Sequence, residues 1–468
     1  MERNEMYDIA SMYFDVDSLT SGFVAPIINP VREKASLLNH AVRNRLVKER
    51  PLCKEAARIL ADQCKLAKTE LPADWDSDEN ILQCILEVDR SSSPGFPFLM
   101  YEPNSNNGDI IDKYGTEYLT RKVRECLDSP KQHDTRVFLK CEPHKKKKVD
   151  NDMQRIISSI GLIEQIADRL LYRWLKVNLD ESYPYIPVAT GWSDKNGKFA
   201  EMLELFPREK EILDLDKETW DVTVTELTLV MLRYFLEFMH ISRDPDALAR
   251  WIKCVGNRMH AMYGPGHIFH CSDGSLYVQM FWGWWKSGGF LTLHGNAIMN
   301  ACLDILAKLE LGYTKREIDS ELMRAFGDDT IQTKPLKVEL SAYLNKLKEL
   351  GARINPDDVG VGFGVVDRKF CGHKVVETTV AGRRTFGLVP DRLGKHLINL
   401  VTAKSDTVFD TLQSMKLNWV TDQSMWDKLN AMSWHWIDKL PDGIKWKSRI
   451  RSRAEDIAIA YGYKSSGL

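Results

Sequence analysis

Two adjacent carboxylates in an apolar frame, Phe326-Gly327-Asp328-Asp329-Thr330-Ile331, constrain this chain more than any other stretch. Leu322, Met323, Ala325 and Phe326 precede the pair and Ile331 follows it, which predicts a β-hairpin with the acids at its tip. Neighbouring carboxylates are costly to bury unless a positive charge lies between them, and a divalent cation is the usual answer. A Gly-Asp pair is also an ordinary solvated turn. The hairpin therefore gains meaning only from stretches that could partner it.

Further acids come from Glu211-Ile212-Leu213-Asp214-Leu215-Asp216, a short buried strand ending in acid, with Asp221 following Trp220. An acid at a strand end can reach a cleft, whereas one in mid-strand is an unpaired buried charge. Asp216 and Asp221 could instead cap the apolar helix expected over Leu227–His240. For Asp214 and Asp216, a metal shared with Asp328 is the better explanation. Ser287-Gly288-Gly289 then opens a helix on which Thr292, Asn296 and Asn300 share a face at i, i+4 and i+8. The other faces are apolar, so a buried polar stripe facing a polar ligand is expected.

The basic groups are local. Arg136–His144 is strand-like and sends Lys140 and Glu142 to one face. Lys145 to Lys148 follow, then Arg155, and the run reads as a positive loop over a cleft suited to a triphosphate. Glu142 would orient Arg155. Upstream, Ser91-Ser92-Ser93-Pro94-Gly95-Phe96-Pro97-Phe98 is a rigid non-helical loop whose serines and amides can meet a phosphate backbone. Other stretches read as scaffold. Val31–Lys48 and Lys54–Lys68 suggest a surface helix pair, with Leu37, Leu38, Val42 and Leu46 on one face. Ile160–Val177 suggests a core helix, and Ala247–Met280 a small β-containing insertion. Leu340–Leu350 suggests a surface helix stopped by Gly351, and Val366–Val375 a second tight hairpin. From Asp391 onward the pattern is helical, and Trp419, Trp426, Trp434, Trp436 and Trp446 read as core.

Length and composition set the frame. A chain of 468 residues suggests about three sub-structures. A net charge of -2 argues against a surface that coats nucleic acid but allows an internal basic channel. Nine scattered cysteines without a Cys-x-x-Cys pair suggest a reducing compartment. His267, His270 and Cys271 lack the second ligand pair a zinc site needs. No signal peptide or transmembrane span is expected, because charges and glycines interrupt every apolar run.

Taken in order, Lys140-x-Glu142…Arg155, Asp216-x4-Asp221, Ser287-Gly288-x3-Thr292-x3-Asn296, Gly327-Asp328-Asp329 and Phe370-Cys371-Gly372-His373 resemble the motifs of viral RNA-dependent RNA polymerases. Phe138–Lys145 with Arg155–Ser159 is most similar to sobemovirus and polerovirus replicases and their invertebrate sobemo-like relatives. The resemblance implies an α+β right-hand polymerase with an antiparallel palm sheet and a mainly helical thumb. Fingers would span 1–154, palm 155–240 and 286–378, a fingers insertion 241–285, and thumb 379–468. It implies template-directed nucleotidyl transfer replicating a positive-strand RNA genome. Asp216, Asp328 and Asp329 would hold two Mg²⁺ ions, with Mn²⁺ as a substitute. Lys140 and Arg155 would grip the triphosphate. Asp221 and Asn296, with Ser287 or Thr292, would read the ribose 2′-hydroxyl. Glu142, Gly288 and Gly327 would support these groups. Ser92, Pro94 and Gly95 would guide template, and Phe370 and Cys371 would support the primer end.

Implied partners are RNA template and primer, nucleoside triphosphates, a genome-linked protein primer and other viral replication proteins. The implied location is host cytoplasm, in membrane-associated complexes reached through partners, with no transmembrane anchor of its own. One position departs from the pattern: Val359 stands where relatives carry a lysine proposed to protonate pyrophosphate. Lys346, Lys348 and Arg353 are the nearby substitutes. A reverse transcriptase also fits Phe-x-Asp-Asp, but Asp221 and the Thr-x3-Asn helix favour ribonucleotides. A silent RNA-binding subunit would have no need of intact Asp216, Asp328 and Asp329.

Overall fold

Residues 2–131, 133–440 and 449–463 are described by the computed structural model. Three helices form the centre of the molecule: α1 (Cys53–Gln63), α2 (Glu226–Met239) and α3 (Thr292–Glu310). They pack on one another, and α3 also lies against the acidic hairpin. Helix α1 is far from a surface helix, because Cys53, Ala56, Ala57 and Leu60 repeat at helical spacing and are fully buried. Small residues on that stripe let the neighbouring backbones approach closely. Of the preceding helix, Pro30–Ala41, only Leu37 is buried among the four apolar positions expected on one face; Leu38, Val42 and Leu46 are exposed. The expected surface pair is thus one surface helix and one core helix.

A four-stranded antiparallel sheet carries the acids. Its strands are β1 (Glu211–Leu215), β2 (Met323–Phe326), β3 (Asp329–Thr333) and β4 (Val359–Phe363), in the spatial order β2-β3-β1-β4. Helix α2 starts at a reciprocal cap between Thr225 and Thr228, so neither Asp216 nor Asp221 caps it. Asp214 has a different explanation from the one its sequence suggests. Its carboxylate pairs with Arg368 at 3.2 Å across β4, where Gly360 lets the two side chains meet. An ion pair, and not a metal, offsets the charge in mid-strand.

Thr135–Leu139 pairs antiparallel with Ile156–Ser159 and parallel with Ile268–His270, which extends to Leu276–Val278. The stretch 247–280 is therefore only partly β. Its first half is a long helix, Pro245–Tyr263, whose buried Arg258 pairs with buried Asp168 at 2.7 Å. Lys146–Asp150 is a short helix and not a loop, entered from His144–Lys145, which pairs with Phe23–Val24 near the N-terminus. Leu162–Glu181 and Leu340–Glu349 are helices as expected.

Lys369–Phe370, His373–Val380 and Arg383–Pro390 form a three-stranded sheet, so the second hairpin is also present. Helices Leu393–Val401, Val408–Asn418, Gln423–Ile437 and Arg453–Tyr461 follow. Trp419, Trp426 and Trp436 are core residues there, Trp434 is exposed, and Trp446 lies outside the described residues. N-terminal helices Met6–Ser11 and Val16–Thr20 share a core with this C-terminal group through Met6, Ile9 and Val16. Among the described residues no helix is long and apolar enough to cross a membrane. All nine cysteines are free.

Candidate active site

The register of β1 against β3 gathers the acids. Thr330 faces Leu215, and its hydroxyl donates to the Leu215 carbonyl at 3.1 Å. One step further, Asp329 and Asp216 leave the paired ladder side by side. Gly327 turns the hairpin with φ of +62°, a conformation glycine adopts without penalty, and Asp328 sits at the open tip. The three carboxylates press on one another. Burial pushes the Asp216 carboxyl up to about 6, with Asp328 and Asp358 adding to it. Burial, then Asp328 and Asp216, push Asp329 well above the usual carboxylate range. Burial and Asp221 raise Asp328 too, although solvent reaches its side chain through the cleft, which softens that push.

Beneath the turn lies Lys217, buried and immediately after Asp216. Its ammonium donates to the Asn300 side-chain oxygen. The Asn300 amide in turn donates to the carbonyls of Asp328 at 2.9 Å and Gly327 at 3.3 Å. Burial brings the Lys217 ammonium down to about 8, while Asp304, Asp216, Asp328 and Asp329 pull it back up. Little in the sequence singles out Lys217, because a lone lysine after a strand is ordinary. Its signal was its place between two acids and an apolar helix.

One helical turn earlier, the Asn296 amide donates to Asp221 at 2.7 Å, and the Trp220 indole donates to Asn296 at 3.1 Å. Of the polar stripe on α3, Asn296 and Asn300 are buried, as expected, and Thr292 is half-buried. Ser287 and Thr292 differ from Asn296. Their hydroxyls donate to backbone carbonyls, Ser287 to Ile156 at 3.4 Å and Thr292 to Gly289 at 2.7 Å, and shape the turn that starts α3. Gly288 is required at that turn, since a Cβ there would lie 2.0 Å from the Ser158 carbonyl oxygen.

Glu142 accepts both basic partners, Lys140 at 2.9 Å and Arg155 at 3.2 Å, and so fixes the two cations side by side. Positive charge from Arg155 reaches Asp328 and Asp221. Two more cations went unnoticed in sequence. Arg392, at the N-terminus of the helix Leu393–Val401, acts on Asp216 and Asp329, and Lys395, in its first turn, faces Glu142. They are far away in the chain, and nothing local marks them.

The remaining positions are more structural. Ser92 donates to Asp89 at 2.6 Å, Pro94 accepts from Leu162 at 2.8 Å, and Gly95 sits against Gly161 with φ of +59°. That loop is anchored to a core helix with its serines exposed. Phe370 is 2% exposed and packs edge-on against Trp192, so any support it gives is through packing and not by direct contact. Cys371 borders the acids, and burial together with Asp329 and Asp328 raises its thiol.

Oxygen donors of this kind suit a hard divalent cation. In the positions described, no group of three or more His, Cys, Asp or Glu side chains converges as a ready-made metal site. The donor chemistry fits such an ion, and the mutual repulsion of the acids is what one would relieve.

No family model matches the chain. It is 23% identical over 405 residues to Protein P1-P2 of Potato leafroll virus, covering 79% of this chain and 34% of that protein. It is 27% identical over 274 residues to the Replicase polyprotein P2AB of Cocksfoot mottle virus, covering 53% and 26%. To the RNA-directed RNA polymerase of Mushroom bacilliform virus it is 25% identical over 253 residues, covering 51% and 56%. The chain thus spans about a third of the length of the first of these relatives. Among solved structures, the Sicinivirus 3Dpol RNA dependent RNA polymerase matches with a TM-score of 0.71 at 16% identity, covering 93% of this chain and 91% of the other. The fold is that of a viral RNA polymerase.

Proposed function

We propose that this chain is the RNA-directed RNA polymerase of a positive-strand RNA virus, extending an RNA 3′ end with ribonucleotides chosen by a template. The observation that carries the reading is the meeting of Asp216, Asp328 and Asp329 at one hairpin, beside the Asp221–Asn296 pair. Fingers over 1–154, a palm over 155–240 and 286–378, an insertion over 241–285 and a thumb over 379–468 are the matching partition.

Asp216, Asp328 and Asp329 would hold Mg²⁺, with Mn²⁺ as a substitute. Bound there, such ions lower the pKa of an attacking hydroxyl and neutralise charge on departing pyrophosphate. The chain's own groups do the rest. Lys140 and Arg155, held by Glu142, grip phosphate oxygens, and a guanidinium can do so bidentately. Asp221 accepts and Asn296 donates, so together they can pair with a ribose 2′-hydroxyl, which a deoxyribonucleotide lacks. Val359 lies in β4 and has no proton to give, so the acid for pyrophosphate is left to a cation at the cleft. Ser92, Pro94 and Gly95 guide template, and Cys371 borders the primer end. RNA, nucleoside triphosphates, a genome-linked protein primer and further replication proteins are the partners. Host cytoplasm is the setting, with membranes reached through those partners.

The test is RNA-templated incorporation of labelled ribonucleotides with Mg²⁺, wild type against Asp328→Ala. Template-dependent product from wild type and a loss of several orders of magnitude in the variant are expected. Equal activity in both would overturn the assignment of these acids. Preference for deoxyribonucleotides would favour a reverse transcriptase.

A further inference from the structure

Toward the far end of α3 from Asn296, a cleft of about 540 Å³ opens between α3, β2, the segment around Pro184–Pro187 and the end of α1. Its volume lies in the range of small-molecule sites. Ala301, Ile305 and Ile318 give it an apolar wall, and its charges are unevenly satisfied. Lys308 is neutralised by Glu321 at 2.8 Å and Asp304 at 3.1 Å. Lys315 is neutralised by Asp319 at 2.7 Å and Asp62 at 3.8 Å. Arg324 is different.

Arg324 is 4% exposed, and no carboxylate lies within ion-pair distance of it among the described residues. Nε donates to the Pro184 carbonyl at 2.8 Å and Nη1 to the Met323 carbonyl at 2.7 Å, Nη2 makes no hydrogen bond among the described residues, and Arg324 lines the cleft. Burial drags this guanidinium down to about 10, the mark of a charge without a counter-ion. A desolvated, unpaired cation is costly, and an anion entering the cleft would offset the cost. Two further groups line the same cleft. Lys65 is exposed and takes part in no ion pair among the described residues, and Tyr185 is 68% exposed beside Pro184. A bare tyrosine ring at a cleft rim is a stacking surface. The rim acids Asp62 and Asp319 can accept from hydroxyl groups.

We propose that this cleft binds a small ligand joining a planar ring to one anionic group through a polyhydroxylated linker, in the manner of a nucleoside 5′-monophosphate. The anion meets Arg324 and Lys65, the ring lies on Tyr185, and sugar hydroxyls face Asp62 and Asp319. The site is separate from the acid cluster and stands whether or not the chain polymerises RNA. It is also mechanically close to that cluster, because β2 runs from Arg324 directly into Gly327 and Asp328.

The test is calorimetric titration of the full chain with adenosine 5′-monophosphate in EDTA, which keeps divalent cations from drawing nucleotide to the acids. One saturable site is expected. Tyr185→Ala and Lys65→Glu, both at exposed positions, should each weaken binding by about tenfold or more. The double variant Lys140→Ala/Arg155→Ala should leave it unchanged. Inorganic phosphate should compete at least about tenfold more weakly than the nucleotide, since it lacks the ring. Hydrogen exchange should slow at 184–188 and 323–326 on binding. Absence of saturable binding at millimolar nucleotide would overturn the proposal. So would binding that falls with Lys140 and Arg155 and ignores Tyr185 and Lys65, or phosphate that binds as tightly as the nucleotide.

Discussion

At the scale of single residues, the acid cluster is a local instability. Asp329 has its carboxyl raised by burial, Asp328 and Asp216, so its charged form is disfavoured in the folded chain. The sign follows from linkage. A raised carboxyl contributes stability below its ordinary value of 3.8, and that contribution is lost as pH rises through the folded value. In EDTA, the contribution of this cluster to stability should therefore fall as pH climbs from about 4 to 7. Asp329→Asn should flatten that slope and melt about 2–4 °C higher at neutral pH. Millimolar Mg²⁺ should narrow the gap, and scanning calorimetry across pH with and without Mg²⁺ is the check.

Lys217 supplies a second prediction. Among the described residues its hydrogen bond to the tip runs through Asn300, and its charge also acts on Asp216, Asp328 and Asp329, so it is a positioning residue. Lys217→Met and Asn300→Ala should each lower kcat about 10- to 100-fold with little change in nucleotide KM. The double variant should be no worse than Lys217→Met alone, because losing the lysine already cuts the link through Asn300. Losses that multiply would mean the two act separately.

Elements explain what could be read from sequence and what could not. The hairpin was legible because an apolar strand, a glycine with positive φ and a second apolar strand all lie within eleven residues, Met323–Thr333. The α3 stripe was legible because Asn296 and Asn300 interrupt an otherwise apolar helix. Asp214 misled, since its partner Arg368 is 154 positions away. Helix α1 misled because charged residues share the sequence with its buried alanines. Arg392, Lys395 and the pairing of Phe23–Val24 with His144–Lys145 depend on long-range folding and leave no local trace.

The turn before α3 offers a prediction at this scale. A methyl group on Gly288 would run into the Ser158 carbonyl at 2.0 Å, while one on Gly289 would meet nothing closer than the Thr292 hydroxyl at 3.4 Å. Gly288→Ala should cost about 3 kcal/mol or more, and Gly289→Ala within about 1 kcal/mol. Equal midpoints in denaturant unfolding would contradict the close approach.

For the molecule as a whole, the N-terminal segment ties two distant parts together. Met6, Ile9, Ala10 and Val16 are buried against Leu397, Leu400, Val401 and Trp436, and the Asn4 backbone N–H donates to the Val401 carbonyl at 2.8 Å. A few residues on, Phe23–Val24 pairs with His144–Lys145, at the start of the lysine run. One continuous stretch thus fastens the C-terminal helices to the basic segment, and the cleft with Asp328 lies between cations from both, Arg155 and Arg392. Met6→Ala with Ile9→Ala should remove about 4–6 kcal/mol from this contact. Most of that loss should appear locally, because α1–α3 belong to a different core, and the acid sheet is shared between that core and a third one built on Ile212 and Ile331. Hydrogen exchange in 393–401 and 408–437 should accelerate while β1 and β3 stay protected. If the chain encloses RNA, the variant should begin synthesis near the wild-type rate yet release short products, since closure matters more for holding a template than for joining the first nucleotides. Uniform loss of protection across all cores would show that the N-terminal contact stabilises the whole molecule and is not a clasp between its parts.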